Sequence, residues 1–188
     1  MLDSQINELI KTLAKVESIS EKISSAGSEI ASCLKRGNKV LTAGNGGSAT
    51  DALHFAEELM GKFDRNRPPL AAISLNSDST LLTCVGNDFG FQNIFSRQVQ
   101  GLGKVGDLLI VFSTSGNSIN INEALKECKS LGVKSIALLG KEGGEAKNYA
   151  DLSIIVPSST TARIQEVHTL ILHLWISQIE EHLFGFKP

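Results

Sequence analysis

Asp107–Ser118 reads DLLIVFSTSGNS, and this stretch decides the fold. Leu108 to Phe112 is apolar at every position, with no polar alternation. That pattern predicts a strand buried on both faces, as in a parallel sheet covered by helices. The strand runs into a loop carrying Ser113, Thr114, Ser115 and Ser118, and a helix is predicted from Ile119 to Leu131. Strand, hydroxyl-rich loop and helix form the repeating unit of a doubly wound α/β sheet.

Working outward, the same unit recurs. Lys39–Ala43 (KVLTA) is a predicted strand ending in GNGGS, followed by a helix through Met60. The turn-like RNRPP leads into a second strand, Ala71–Leu75. A helical stretch follows, broken by VGNDFGF, and Gln92–Leu102 is again helical. Val133–Leu139 and Leu152–Val156 are two further strands, and Ala162–Phe184 is a long amphipathic helix. The expected fold is a five-stranded parallel α/β sheet flanked by helices. Residues 2–36 are predicted helix, with Ile6, Leu9, Leu13 and Val16 as a narrow apolar seam and Ile23, Ile30 and Leu34 continuing it. Gly37 and Asn38 stop that helix. Neither an internal repeat nor a linker interrupts the 188 residues. The expected organisation is one domain over residues 1–188, with a helical arm (1–36) on an α/β body (37–188).

The 18 Lys and Arg nearly balance the 20 Asp and Glu, which leaves no electrostatic footprint for nucleic acid or an anionic membrane. No apolar run has the length of a membrane span. The start, MLDSQINELIKTLAKV, is polar and helix-like, unlike a secretory leader. Cys33, Cys84 and Cys128 have neither metal-ribbon nor CxxC spacing. They read as small buried or half-buried hydrophobes in a reducing compartment, so a cytoplasmic location is expected.

Two loops carry chemistry. In STSGNS, four hydroxyls crowd a helix N-terminus, where backbone N–H groups and the helix dipole favour a phosphate dianion. A single N-cap at Ser118 needs one such residue rather than four. GNGGSA (Gly44–Ala49) satisfies a dinucleotide pattern, but no acidic residue closes the second strand, and no Lys-Ser/Thr follows as in a Walker A loop. Close backbone approach to a sugar fits better, with Asn45 and the amides of Gly46 and Gly47 meeting its hydroxyls. On the next helix, His54 and Glu58 lie four apart on one face, with Glu57 also within reach of His54. On the last helix, Gln165 and His173 are separated by about 12 Å of rise. Spacing alone pairs Gln165 with His168 sooner than with His173.

Taken together, GNGGSxxDAxHFAEEL (Gly44–Leu59), CVGNDFGF (Cys84–Phe91), STSGNS (Ser113–Ser118) and RIQExH (Arg163–His168) resemble the phosphoheptose isomerase family of sugar-isomerase (SIS) domains. The motifs come in the family's order and cover nearly the whole chain. The resemblance implies a single SIS domain in a homotetramer that converts D-sedoheptulose 7-phosphate to D-glycero-D-manno-heptose 7-phosphate, feeding heptose into lipopolysaccharide, capsule or other surface glycans. It implies one zinc ion per subunit on His54, Glu58, Gln165 and His173, with Glu58 and His173 as the catalytic base and acid. Substrate contacts would be Asn45, Gly46, Gly47, Glu58, Asn87, Asp88, Ser113, Thr114, Ser115, Ser118 and Gln165. The family thereby selects Glu58 over Glu57 and His173 over His168. Many relatives carry an Asp directly before Arg-Ile-Gln-Glu; here Ala162 stands there, behind Thr160 and Thr161. Alternatives are a non-catalytic relative that binds a replication initiator, which would tend to lack the Glu and His, and a sugar-phosphate sensor, for which no DNA-binding module is attached.

Overall fold

The computed structural model describes residues 2–186. The expected domain span of 1–188 includes Met1, Lys187 and Pro188, which lie outside the described residues. Five strands, β1 (Val40–Gly44), β2 (Ala72–Ser74), β3 (Leu108–Ser113), β4 (Lys134–Leu139) and β5 (Leu152–Ile155), make one parallel sheet in the order β2-β1-β3-β4-β5. The helices are α1 (Leu2–Val16), α2 (Ser20–Lys35), α3 (Gly47–Met60), α4 (Ser79–Phe89), α5 (Ser96–Leu102), α6 (Ile119–Leu131) and α7 (Thr161–Phe184).

Alternate residues of each strand feed two separate cores. Leu108, Ile110 and Phe112 face α2, α3 and α7, whereas Leu109 and Val111 face α5 and α6. This is the two-sided burial that the unbroken apolar run in β3 requires. Trp175 of α7 is fully buried, and its indole N–H donates to Ile23 O at 2.9 Å, tying α7 to α2.

The winding reverses at β1, because β2 lies on one side of it and β3 on the other. Ligands in such sheets bind outside the strand C-termini at the switch point. Here Gly44 at the end of β1 pairs in register with Phe112 near the end of β3. The GNGGS and STSGNS loops therefore leave the sheet side by side.

Three expectations need correction. The N-terminal helix is not continuous: a 3-10 turn at Glu17–Ile19 separates α1 from α2, and Ile19 leaves the helical region (φ −116°, ψ 7°). The two halves answer to different partners. α2 buries Ile23, Ile30 and Leu34 against α7, whereas α1 is held at the start of α7 by polar ties. There, Arg163 donates to Gln5 O at 2.8 Å and Thr160 donates to Glu8. Second, the break expected within VGNDFGF is narrower than that stretch: VGNDF forms the last turns of α4 and the helix stops at Gly90, whose φ of 86° a residue with a side chain adopts only with strain. Third, Cys33 and Cys128 are buried as expected, with thiols pushed up to about 11 and about 12 chiefly by burial, but Cys84 is exposed. Among the described residues, no helix is long and apolar enough to cross a membrane.

Candidate active site

Cross-strand ties shape the mouth of the switch point. Asn76, just after β2, accepts from the Gly44 N–H (3.1 Å) and donates to the Gly44 carbonyl (2.9 Å), anchoring the end of β1. Asn45 and Asn120 exchange two side-chain amide bonds of 2.8 and 2.9 Å, joining the GNGGS loop to the first turn of α6. Above them lies a cleft of about 660 Å³ lined by Asn45, Gly46, Phe91, Gln92, Asn117, Ser118, Ile119 and Asn120.

The serine loop is set up to donate. Ser113 Oγ accepts from Gly116 N–H at 3.1 Å and Ser115 Oγ accepts from Asn117 N–H at 3.2 Å. Each hydroxyl thus keeps its own proton for another acceptor. Ser118 occupies the N-cap position of α6, yet its side chain makes no capping bond. A hydroxyl at a helix N-terminus that does not cap is available to an anion.

A second polar region runs along the seam between α3 and α7 in successive turns. At the N-terminus of α3, Gly47 lies beneath the Gln165 amide; a Cβ at position 47 would fall 2.4 Å from Gln165 Nε2. One turn on, Thr169 donates to Asp51 Oδ1 at 2.9 Å. Next come the imidazoles of His54 and His173, edge to face with centroids 5.0 Å apart, and His54 Nε2 sits 3.2 Å from Glu58 Oε1. One ligand atom from each of His54, Glu58 and His173 lies within 4.8 Å of the others, and all three side chains are half-buried. Phe63, in the loop after α3, stacks on His173 at 5.5 Å. Burial, and then the nearby charge of His54, hold the His173 imidazole below its ordinary pKa, with Glu58 opposing them.

This geometry separates the alternatives that spacing left open. Glu58 meets His54, while Glu57 is exposed. His173 joins the cluster, while His168 is fully buried against Leu139 O at 3.1 Å, its pKa pushed down to about 4 by burial. Gln165 stands apart from His173 by about 12 Å of helix rise. Asn87 and Asp88 are exposed on the last turn of α4, bonded to each other at 2.7 Å, and do not line the cleft of this chain. Thr160, two positions before Ala162, donates its hydroxyl to Glu8.

Residues that sequence reasoning passed over include Phe91, Ile119 and Asn120 in the cleft, Asp51 in the seam, and Arg67. Asn120 carried a signal, as an amide on the buried side of an amphipathic helix. Two imidazoles and a carboxylate make a donor set suited to zinc or a similar divalent cation. The residues present therefore fit a metal.

The SIS domain family model matches residues 4–140. A phosphoheptose isomerase of Clostridium acetobutylicum is 45% identical over 99% of this chain and 96% of its own length. The structure of a phosphoheptose isomerase from Francisella tularensis superposes with a TM-score of 0.93 at 40% identity, covering 96% of both chains. One from Neisseria gonorrhoeae gives 0.91 at 39% identity, over 96% of this chain and 97% of that one. The chain belongs to the SIS domain family. Within that family it belongs to the phosphoheptose isomerases.

Proposed function

We propose that this chain is an aldose–ketose isomerase that converts D-sedoheptulose 7-phosphate to D-glycero-D-manno-heptose 7-phosphate, supplying heptose for surface glycans from the cytoplasm as a single SIS domain over residues 1–188. The observation that carries this reading is the retained cluster of His54, Glu58 and His173, which a relative that only binds a partner or senses a sugar does not need. A coupled assay of purified protein with sedoheptulose 7-phosphate tests it. Turnover supports the reading; no turnover on any heptulose phosphate, with zinc supplied, leaves the binding-protein alternative.

Isomerisation moves a proton between C1 and C2 through an enediol and another between their oxygens. Glu58 is the base at carbon. Its Oε1 faces His54, leaving Oε2 for the substrate. His173 serves the oxygens, donating as the carbonyl becomes a hydroxyl, and Phe63 on its face limits water. The serine loop grips the phosphate and fixes the chain, so that reacting carbons far from it meet the base at high effective concentration. Asn45 and the amides of Gly46 and Gly47 meet sugar hydroxyls, as do Gln165, Asn87 and Asp88. We assign zinc to His54, Glu58 and His173; Gln165 would complete the set only by leaving Gly47. When bound, the ion would polarise the substrate carbonyl.

Replacing Ser115 and Ser118 together by alanine is expected to raise KM strongly, because each hydrogen bond to a charged group contributes about 1.5–3 kcal/mol. An unchanged KM in a folded double variant removes the phosphate assignment.

The assembly reading rests on two features. From Gly47 to Glu58, α3 rises about 16 Å, which favours a site in which the cleft and the cluster that serve one molecule come from different chains. In addition, α1 leaves Leu2, Ile6, Ile10 and Leu13 exposed at 71, 47, 56 and 38%, an apolar strip that suits a second copy. A homotetramer in which one subunit's cleft meets another's cluster accounts for both. Mixing Glu58→Gln subunits with Ser115→Ala/Ser118→Ala subunits, each poorly active alone, should restore about a quarter of wild-type activity in random assemblies. Strictly additive residual activities would mean that sites are not shared.

A further inference from the structure

Asp51 is a carboxylate that the reaction above does not use, and its surroundings are unusual. It is 6% exposed, on the inward face of α3, one turn before His54. Its Oδ1 accepts from Thr169, which stands one turn before His173 on α7. Its Oδ2 is buried and has no hydrogen-bond partner among the described residues. A carboxylate oxygen shut away from water without a partner is costly, and such an atom in a native fold calls for an explanation. Burial raises the pKa of this carboxyl, and the Thr169 bond and the charge of His54 are what oppose the rise. The His54 ring, meanwhile, turns Nε2 to Glu58, and its Nδ1 makes no hydrogen bond among the described residues.

We propose that Asp51 is a positioning residue for His54: its Oδ2 accepts the Nδ1–H of the imidazole, fixing the tautomer that presents an unprotonated Nε2 to a metal ion. This rests on reading His54, Glu58 and His173 as a metal cluster. Asp51 and His54 are three residues apart on α3, a spacing at which helix side chains meet. Histidine ligands ordinarily donate their second ring N–H to a carboxylate or carbonyl, which orients the ring and raises its basicity. Thr169 has the complementary part. By holding Oδ1 it leaves Oδ2 as the oxygen to face His54, and by sitting on α7 it keeps that oxygen in register with His173.

The test uses full-length wild type, Asp51→Asn and Thr169→Val, with two readouts besides turnover. In metal-free protein labelled with 15N-histidine, Nδ1 of the wild-type His54 ring should carry a proton, held by Asp51. In Asp51→Asn that nitrogen should lose it, leaving the Nε2–H tautomer that donates to Glu58. In Co2+ titrations followed by visible absorption, Asp51→Asn should bind about 10–100-fold more weakly, and Thr169→Val should fall between it and wild type. The melting temperature of metal-free Asp51→Asn should stay close to that of wild type, since the amide keeps the shape of the carboxyl group and an oxygen for Thr169. An unchanged tautomer with unchanged Co2+ affinity overturns the proposal. So does weaker Co2+ binding that appears only with a lowered melting temperature, which marks a purely structural residue. If wild type itself binds no Co2+, the metal reading falls alone, and the tautomer comparison decides for or against the Asp51–His54 bond. Should Asp51→Asn not fold, the tautomer in Thr169→Val decides.

Discussion

Glu58→Gln is expected to lower kcat by on the order of 10²–10⁴-fold, with KM changed far less because the phosphate loop is untouched. The substitution keeps the shape of the side chain and an oxygen toward His54, but an amide does not take a proton from carbon. Glu57→Gln, one position away, supplies the control: Glu57 is exposed and stands outside the cluster, so its loss should be mild. Steady-state kinetics on both variants, with bound metal measured in each, makes the comparison. Near-normal turnover in Glu58→Gln beside a large loss in Glu57→Gln would move the base by one residue.

Arg67→Ala should cost about 3–5 kcal/mol of stability, lowering the melting temperature by on the order of 10 °C for a chain of this size. The Arg67 side chain is completely buried, and its partner Glu180 on α7 is 4% exposed. Its Nε donates to Glu180 at 2.7 Å, while its other nitrogens donate to the carbonyls of Glu58 (2.6 Å), Leu59 (2.9 Å) and Pro68 (3.2 Å). The guanidinium therefore caps the C-terminal turn of α3 and fastens it to α7. Truncation leaves Glu180 as an uncompensated buried charge and frees the carbonyls at the end of the helix that carries Glu58. Chemical denaturation of both proteins measures the effect. Restoring most of the stability with Arg67→Met/Glu180→Leu would assign the loss to the stranded charge, whereas a change below about 1 kcal/mol would mean that the pair behaves as a solvated one.

Arg67 also marks where sequence reading stops. In RNRPP it is a cation among polar and turn residues, a context that ordinarily means solvent. Its burial depends on Glu180, far along the chain, and no local pattern announces that pairing. Asp51 was hidden in the opposite way, as one polar residue on a helix whose neighbours drew the attention. The strands, by contrast, were legible because burial on both faces leaves no choice but an apolar run, as in Leu108–Phe112. The break expected within VGNDFGF falls at its Gly90 rather than at Asn87 or Asp88, which favour turns only weakly, whereas a positive φ is decisive. Within the site, spacing brought His54 to Glu58 through one helix. Spacing did not choose His173 over His168; the family resemblance did. The packing of α3 on α7 gives the physical reason, since residues five apart point in different directions and His173 is the one that meets His54.

The paired amides of Asn45 and Asn120 have a further consequence. Because each side chain both donates to and accepts from the other, neither loop edge is at liberty to wander, and the two lips of the cleft form one rigid rim. The ordering of that rim is completed when the chain folds, under the cooperative drive of the whole sheet, rather than when a sugar arrives. A small, very polar molecule that brings little apolar surface has weak means to organise a floppy receptor. Meeting a receptor already organised, it retains its few contacts as affinity and orientation. The rim thus lets a fold with no cationic side chain in its serine loop hold a phosphorylated sugar steadily enough for chemistry at the other end of the molecule.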